Sequence, residues 1–283
     1  MSLIAVTGAT GHVGGRIARD LAAAEVPIRL LARDPRRAPH LPGVEIAEAT
    51  YGHGATCEAA LRDVDTVFMV PIVDGSDRRR EHHDFIDAIV RAGVRQVVYL
   101  SFVGAGQDPT GAFTRHHAEN ESYLEATGVD LTLVRSNYYA ESLEHFLRGD
   151  ELRAPVGDGR VAAVARDDVA DAITAVLTDP ASHREQTYEL SGPEALGFAD
   201  IADLFTQVTG HPHRFVDESD DEALASRAEY GAPAAELDAW LSMYRAIGAG
   251  LHGRVTDHVQ QLTGRPPTSA LEALSSDASS IDP

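Results

Sequence analysis

Short, continuous apolar runs alternate with helix-period segments through the first half of the chain, and this alternation limits the fold more than any other feature. The runs cover residues 3–6, 28–32, 44–47, 66–70, 97–101 and 131–134. Apolar character that is continuous rather than alternating reads as strands buried on both faces. Between the first two runs, Val13, Ile17 and Leu21 recur every four residues, with Arg16, Arg19 and Asp20 on the other side. Residues 56–62, 77–92 and 114–127 also read as helices, the last two closed by Gly93 and Gly128. In the second of these, Phe85, Ile86, Ile89 and Val90 are expected to share the buried face. Strands alternating with helices require right-handed crossovers, so residues 1–136 are predicted to form a doubly wound α/β domain with a parallel sheet.

After Asn137 the pattern loosens. Residues 167–177, 198–208, 218–230 and 234–247 read as helices and 187–190 as a strand. The spacing predicts a smaller, mostly helical lobe over 137–274 that returns to the sheet at least once. The Ser- and Asp-rich residues 275–283 are expected to form a disordered tail.

The first strand–helix junction reads TGATGHVGG. Gly8 permits a tight turn, Gly11 keeps a side chain away from an approaching pyrophosphate, and Gly14 lets helix and strand pack closely. The helix beginning at His12 offers unpaired N–H groups and a partial positive charge. A glycine triplet alone also suits an ordinary turn. At the first junction of a βαβ series it points to a bound dinucleotide.

The second strand ends in Ala32-Arg33-Asp34-Pro35, followed by Arg36 and Arg37. An acid here would take the ribose 2′-hydroxyl of NAD, and an arginine the 2′-phosphate of NADP. The basic cluster favours NADP(H), with NAD(H) left open by Asp34. The rival reading is a solvated turn in which Asp34 pairs with a neighbouring arginine.

Composition excludes several classes. With 283 residues and 43% apolar content the chain can bury a full core. A formal charge of −20 repels phosphate backbones and anionic lipids, so neither nucleic acid nor membrane is expected as a partner. No run approaches the roughly 20 apolar residues of a membrane span. Residues 2–6 lack a basic leader and are too short for a signal peptide. Cys57 is the only cysteine, so no internal disulfide forms, and a cytoplasmic location is expected. His82-His83, His116-His117 and His211-Pro212-His213 lack partner ligands at metal spacing, so no metal site is expected. No Gly-x-Ser-x-Gly elbow marks a hydrolase. Cys57 reads as a small filler residue.

Taken with TGATGHVGG, the stretches ARDP, YLSFVGAG, HAENESYLEATGVDLTLVRSNYYAESL and GRVTDHVQQLTGRPP resemble the NmrA-like group of atypical short-chain dehydrogenase/reductases, specifically its quinone-reductase and triphenylmethane-reductase branch. The resemblance spans residues 2–274. It implies a Rossmann-like NADP-binding domain, a small substrate lobe and hydride transfer from NADPH to a quinone or similar conjugated acceptor. By matching position, Gly8, Thr10, Gly11, His12, Val13 and Gly14 would surround the pyrophosphate, and Arg33 would hold the 2′-phosphate. Val70, Pro71, Ser101, Phe102 and Val103 would line the cofactor's path, with His117 near the nicotinamide ribose. Phe102, Asn137, Tyr138 and Tyr139 would face the substrate, a small aromatic or quinone-like molecule. Ala49-Thr50 stands where the family commonly has a Gly-Asp pair touching adenine.

At the spacing where typical short-chain dehydrogenases carry Tyr and Lys, this chain has Phe113 and His117. Phe113 cannot donate a proton, and His117 carries no fixed charge at neutral pH, its ordinary pKa being about 6.5. Ketone reduction, which needs a proton for a developing alkoxide, is disfavoured. A quinone needs less help, because its reduced anion is delocalised over a ring that becomes aromatic. Ser101, His117 and Tyr138 are the candidate catalytic residues, and Glu121 is placed to pair with His117. The residues leave open a regulator that senses NADP redox state without turnover. They also leave open a biosynthetic enzyme acting on one elaborate aromatic or imine intermediate, and a homodimer.

Overall fold

The computed structural model describes residues 2–72, 77–107, 111–228, 231 and 234–276, with the side chains of residues 112, 113, 228 and 234–236 outside the description. The first half runs β1 (Ile4–Val6), α1 (His12–Ala23), β2 (Ile28–Ala32), β3 (Glu45–Glu48), α2 (Gly54–Ala60), β4 (Thr66–Met69), α3 (Arg78–Arg91), β5 (Gln96–Phe102), α4 (Ala112–Thr127) and β6 (Asp130–Ser136). The second half adds β7 (Leu147–Arg148), β8 (Glu151–Ala154), β9 (Arg160–Val161), α5 (Arg166–Thr178), β10 (Thr187–Leu190), β11 (Leu196–Gly197) and α6 (Phe198–Thr209). It ends with β12 (Arg214–Asp217), α7 (Asp220–Ala228), α8 (Ala234–Gly248), α9 (His258–Thr263) and α10 (Ala270–Ser276).

A seven-stranded sheet has the order β10-β6-β5-β4-β1-β2-β3. β1 pairs in parallel with both β2 and β4, Ile4 lying opposite Ile28 on one side and Thr66 on the other. β2–β3 and β4–β5 are also parallel. The chain winds outward from β1 to β3, then crosses back to β4. That reversal opens a crevice beyond the carboxyl ends of β1 and β4, where ligands of open α/β sheets bind. β4 and β5 are buried throughout, as their unbroken apolar runs require. β3 lies at the sheet edge with both end residues exposed, and its apolar run is correspondingly weak.

The chain divides into two compact units. The first comprises residues 1–101, 116–135 and 169–188. Its core packs Val67, Met69, Val97 and Tyr99 of the sheet against Phe85, Ile86 and Ile89 of α3 and Leu124 of α4. Asp77 caps α3 by accepting from the Arg80 amide at 3.2 Å. The buried face of α3 differs from expectation. Val90 is 46% exposed, and the wholly buried His82 shares the face with Phe85, Ile86 and Ile89. Positions 82, 85, 86 and 89 follow helical spacing, so a histidine occupies an apolar-pattern position.

The second unit comprises residues 102–115, 136–168 and 189–283. Its core gathers Phe102, Tyr138, Phe146, Phe198, Phe205, Tyr244 and Ile247. Besides its helices it holds two small sheets, of orders β12-β8-β7 and β11-β9. These strands are two to four residues long, too short for an alternating pattern to register. Ser275 and Ser276, expected in the tail, close α10. Residues 277–283 lie outside the described residues.

Candidate functional site

The glycine turn is built as its spacing suggests. Gly8 has φ +68°, and the Gly11 amide donates to the Gly8 carbonyl at 3.0 Å. A Cβ at Gly14 would stand 2.4 Å from that carbonyl oxygen, so only glycine lets α1 start this close to β1. At Gly11 the nearest protein atom to such a Cβ is 3.5 Å away. Packing therefore does not demand glycine there. Gly11 caps α1 with no side-chain acceptor, leaving the first-turn amides of a twelve-residue helix for an anion.

Beside this turn lies a cavity of about 200 Å³ lined by Thr7, Gly8, Thr10, Leu31, Ala32, Arg33, Ala49, Tyr51, Val70, Pro71 and Ile72. It collects the carboxyl ends of β1, β2, β3 and β4. A second cavity of about 390 Å³ shares Arg33, Tyr51 and Ile72 with it and extends to Thr50, His53, Arg80 and Glu81. Of the residues expected around the cofactor, Gly8, Thr10, Arg33, Val70 and Pro71 meet here. Val13 and Gly14 are buried under the turn, while Gly11 and His12 are exposed at its rim.

Asp34 is paired within its own turn. The Asp34 carboxylate accepts from the backbone amide, Nε and Nη2 of Arg36 at 2.9–3.1 Å. Those bonds hold its pKa below the ordinary carboxylate value. Arg33 has no ion pair among the described residues and lines both cavities. The solvated pair of the rival reading thus exists, and it leaves Arg33 available for a phosphate.

Tyr51 and Thr7 belong to this site and were not picked out in the sequence. Thr7 Oγ donates to the Phe68 carbonyl at 3.0 Å and accepts from the Val70 amide at 2.8 Å. Tyr51 donates to the Val70 carbonyl at 2.9 Å and stacks on Phe85 with ring centroids 4.0 Å apart. Tyr51 follows Ala49-Thr50 by one residue, so a search of every strand's carboxyl end would have found it. Cys57 is buried, donates to the Thr50 carbonyl at 3.1 Å, and has its pKa pushed up to about 11 by burial.

Ser101 and His117 lie elsewhere in the first unit. Ser101 Oγ donates to Glu121 at 2.5 Å, and Arg135 grips both oxygens of the same carboxylate. Glu121 is thus committed to Ser101 and Arg135. His117, 5% exposed, has Nδ1 3.3 Å from the Tyr99 hydroxyl, which itself accepts from Asn120 at 3.1 Å. Burial first, then the nearby His116, brings the His117 pKa down to about 3. It is a neutral imidazole at physiological pH. Phe113 lies outside the residues whose side chains are described.

In the second unit Phe102, Tyr138 and His252 form an aromatic cluster with centroid separations of 4.9–5.3 Å. They line a cavity of about 10 Å³ together with Thr114, Ser242, Met243 and Ala246. Among the described residues the buried Tyr138 hydroxyl has no hydrogen-bond partner, and burial raises its pKa. Asn137 does not present its amide to this cavity: Nδ2 donates to the His252 carbonyl and Oδ1 accepts from the Tyr138 amide, both at 2.9 Å. Tyr139 lies under the Arg166 guanidinium at 5.7 Å. The Val103 amide donates to the Ser136 carbonyl at 3.0 Å. His252 follows α8 in a stretch without periodicity, and nothing in the sequence separates it from the other twelve histidines. Among the described residues, no three His, Cys, Asp or Glu side chains cluster as metal ligands.

Known proteins are similar to this chain over nearly its whole length. A (4-alkanoyl-5-oxo-2,5-dihydrofuran-3-yl)methyl phosphate reductase of Streptomyces griseus is 36% identical, over 93% of this chain and 94% of its own. An NAD(P)H azoreductase of Xenophilus azovorans is 30% identical, over 93% of this chain and 94% of its own. The structure superimposes on an Escherichia coli NADPH-dependent quinone oxidoreductase complexed with NADPH at a TM-score of 0.87, with 26% identity, covering 98% of this chain and 99% of that one. The profile of the NmrA-like family matches residues 1–237. The chain belongs to the NmrA-like family.

Proposed function

We propose that this protein is an NADPH-dependent reductase that passes hydride to a quinone or similarly conjugated, electron-poor acceptor. The residues fit the cofactor. Gly11 and the start of α1, which no side chain caps, suit the pyrophosphate, and Arg33, with no ion pair among the described residues and lining the adenosine-side cavity, suits a 2′-phosphate. NADPH supplies a hydride from its nicotinamide ring when bound. The protein's part is to hold the donor and exclude water.

The observation that carries the choice of acceptor is that Ser101 is bonded to Glu121 while His117 is buried against Tyr99. Buried and neutral, with its pKa brought down to about 3, the His117 imidazole is a poor acid. Ser101 has its proton committed to Glu121. Neither residue is set to protonate an alkoxide. His117 is therefore proposed to orient the nicotinamide ribose, and Ser101 to hold Glu121 and Arg135 in place. Tyr138 and Phe102 are proposed to receive the acceptor's ring, with Asn137 shaping that surface through the backbone at 138 and 252. An acceptor whose reduced anion is delocalised tolerates this arrangement.

The relatives support the same class. The Streptomyces reductase acts on a 2,5-dihydrofuran whose ring oxo and alkanoyl groups both conjugate with the double bond, so hydride addition yields a doubly stabilised anion. No helix among the described residues is long and apolar enough to cross a membrane, and the protein is proposed to act in the cytoplasm. The test is NADPH oxidation with a naphthoquinone, an azo dye, a 4-alkanoyl-5-oxo-2,5-dihydrofuran and a simple aromatic ketone. Turnover is expected with conjugated acceptors and not with the ketone. Tight NADPH binding without turnover of any acceptor would replace the enzyme with a redox sensor.

A further inference from the structure

The buried His82 sits on a face of α3 that the apolar pattern would fill with leucine, and the proposed chemistry gives it no task. Its ring contacts show what it does. Nδ1 lies 2.6 Å from the Arg78 carbonyl, and Nε2 lies 3.2 Å from the Ile72 amide nitrogen. A carbonyl only accepts and an amide only donates, so Nδ1 carries the proton and Nε2 offers its lone pair. Burial, with smaller contributions from His116, Arg78 and His83, holds its pKa down to about 4, so the accepting tautomer persists at neutral pH. Arg78 completes the grip: its Nε donates to the Ile72 carbonyl at 3.1 Å.

Ile72 lines both cavities, and His82 lines neither. The stretch Val70-Pro71-Ile72 forms one cavity wall, and side chains hold nearly all of its backbone polar groups. Thr7 takes the Val70 amide, Tyr51 the Val70 carbonyl, His82 the Ile72 amide and Arg78 the Ile72 carbonyl. Pro71 has no amide to hold. An irregular segment fixed at four points keeps the wall's distance from Arg33 and Tyr51 constant.

We propose that His82 and Arg78 are positioning residues for the cofactor, clamping Ile72 so that the adenosine-side wall is preformed. This rests on the NADPH reading above. The effect belongs to the adenosine half, because the clamped wall faces the ends of β2 and β3.

The test is equilibrium titration with NADPH and with 2′,5′-ADP, which carries the adenosine half alone. His82→Asn keeps a donor near the Arg78 carbonyl and loses the acceptor for Ile72. His82→Gln keeps an acceptor at the Nε2 position. The Asn variant should bind both probes about tenfold more weakly, and the Gln variant within about threefold of the unmodified chain. Equal affinity across all three proteins, or equal losses in the two variants, would overturn the proposal. Should both variants fail to fold, Arg78→Met at a half-buried position removes the second bond, and about threefold weaker binding of 2′,5′-ADP is expected. Unchanged binding by that variant would overturn the proposal as well. Failure of the unmodified chain to bind either probe would end the cofactor reading itself, whereas unaffected variants would end only the clamp.

Discussion

The cavity wall of the first unit is backbone held by side chains from several elements, whereas the aromatic cluster of the second unit is side chains touching side chains. Thr7, Tyr51, Arg78 and His82 fix the peptide groups around Val70 and Ile72 by hydrogen bonds of 2.8–3.2 Å. Phe102, Tyr138 and His252 meet through rings around a cavity of about 10 Å³, no larger than one water needs. Directional bonds preserve a shape suited to one ligand. Ring packing tolerates repacking, and an acceptor entering there has to displace side chains. The first construction suits the cofactor proposed for it, and the second suits a proposed acceptor site that need not match a single shape.

Substitutions and acid should separate the two constructions. The largest effect is expected from Gly14→Ala, which forces a Cβ against the Gly8 carbonyl 2.4 Å away. NADPH affinity should fall at least about 100-fold in a fluorescence titration, since the backbone cannot yield without losing the turn. The near-ultraviolet circular dichroism of the aromatic cluster should persist.

Acid should also affect the two units differently. The folded pKa values of His82 and His117, about 4 and about 3, lie below the unfolded value of about 6.5. The unfolded chain therefore binds more protons between those limits. Stability is complete above about pH 6.5 and falls as pH drops toward 4, by up to about 3 kcal/mol from His82 alone. Hydrogen exchange at pH 5 should open α3 and α4 before α6. Equal protection loss in all three would contradict the assignment.

Arg33→Ala should weaken NADPH about 10- to 100-fold while leaving NADH almost untouched, the loss expected for one charge-assisted contact to phosphate. Equal losses for both nucleotides would mean that Arg33 shapes the cavity and does not read the 2′ position. The smallest effect is expected from Tyr138→Phe. It removes a buried hydroxyl without a partner, so stability should rise by about 1 kcal/mol in urea unfolding. NADPH affinity should not change, and the KM for quinone should.

The difference between the units also explains what the sequence could tell. The sheet, the glycine turn and Arg33 were legible because each is a local pattern with one physical purpose. Unbroken apolar runs mark buried strands, Gly14 marks a close approach, and a cation ends the second strand. Val90 was misplaced because an apolar residue fits a helical face by spacing alone, while His82 sits there by virtue of bonds to Arg78 and Ile72 that no periodicity encodes. Tyr51 was within reach once strand ends were examined. His252 was not: its place beside Tyr138 depends on the Asn137 side chain holding its carbonyl across more than 100 residues of chain. The pairing of Glu121 with Arg135 and Ser101 depends in the same way on strands β5 and β6 lying side by side.

The central claim is that hydride reaches the acceptor without an acid from the protein. The most direct measurement is the solvent deuterium isotope effect on single-turnover reduction of a naphthoquinone by bound NADPH. A value close to unity is expected, alongside a primary effect when the transferred hydrogen of NADPH is deuterium. A solvent effect of about two or more would show a proton moving in the same step, and hydride transfer without acid assistance would then be ruled out.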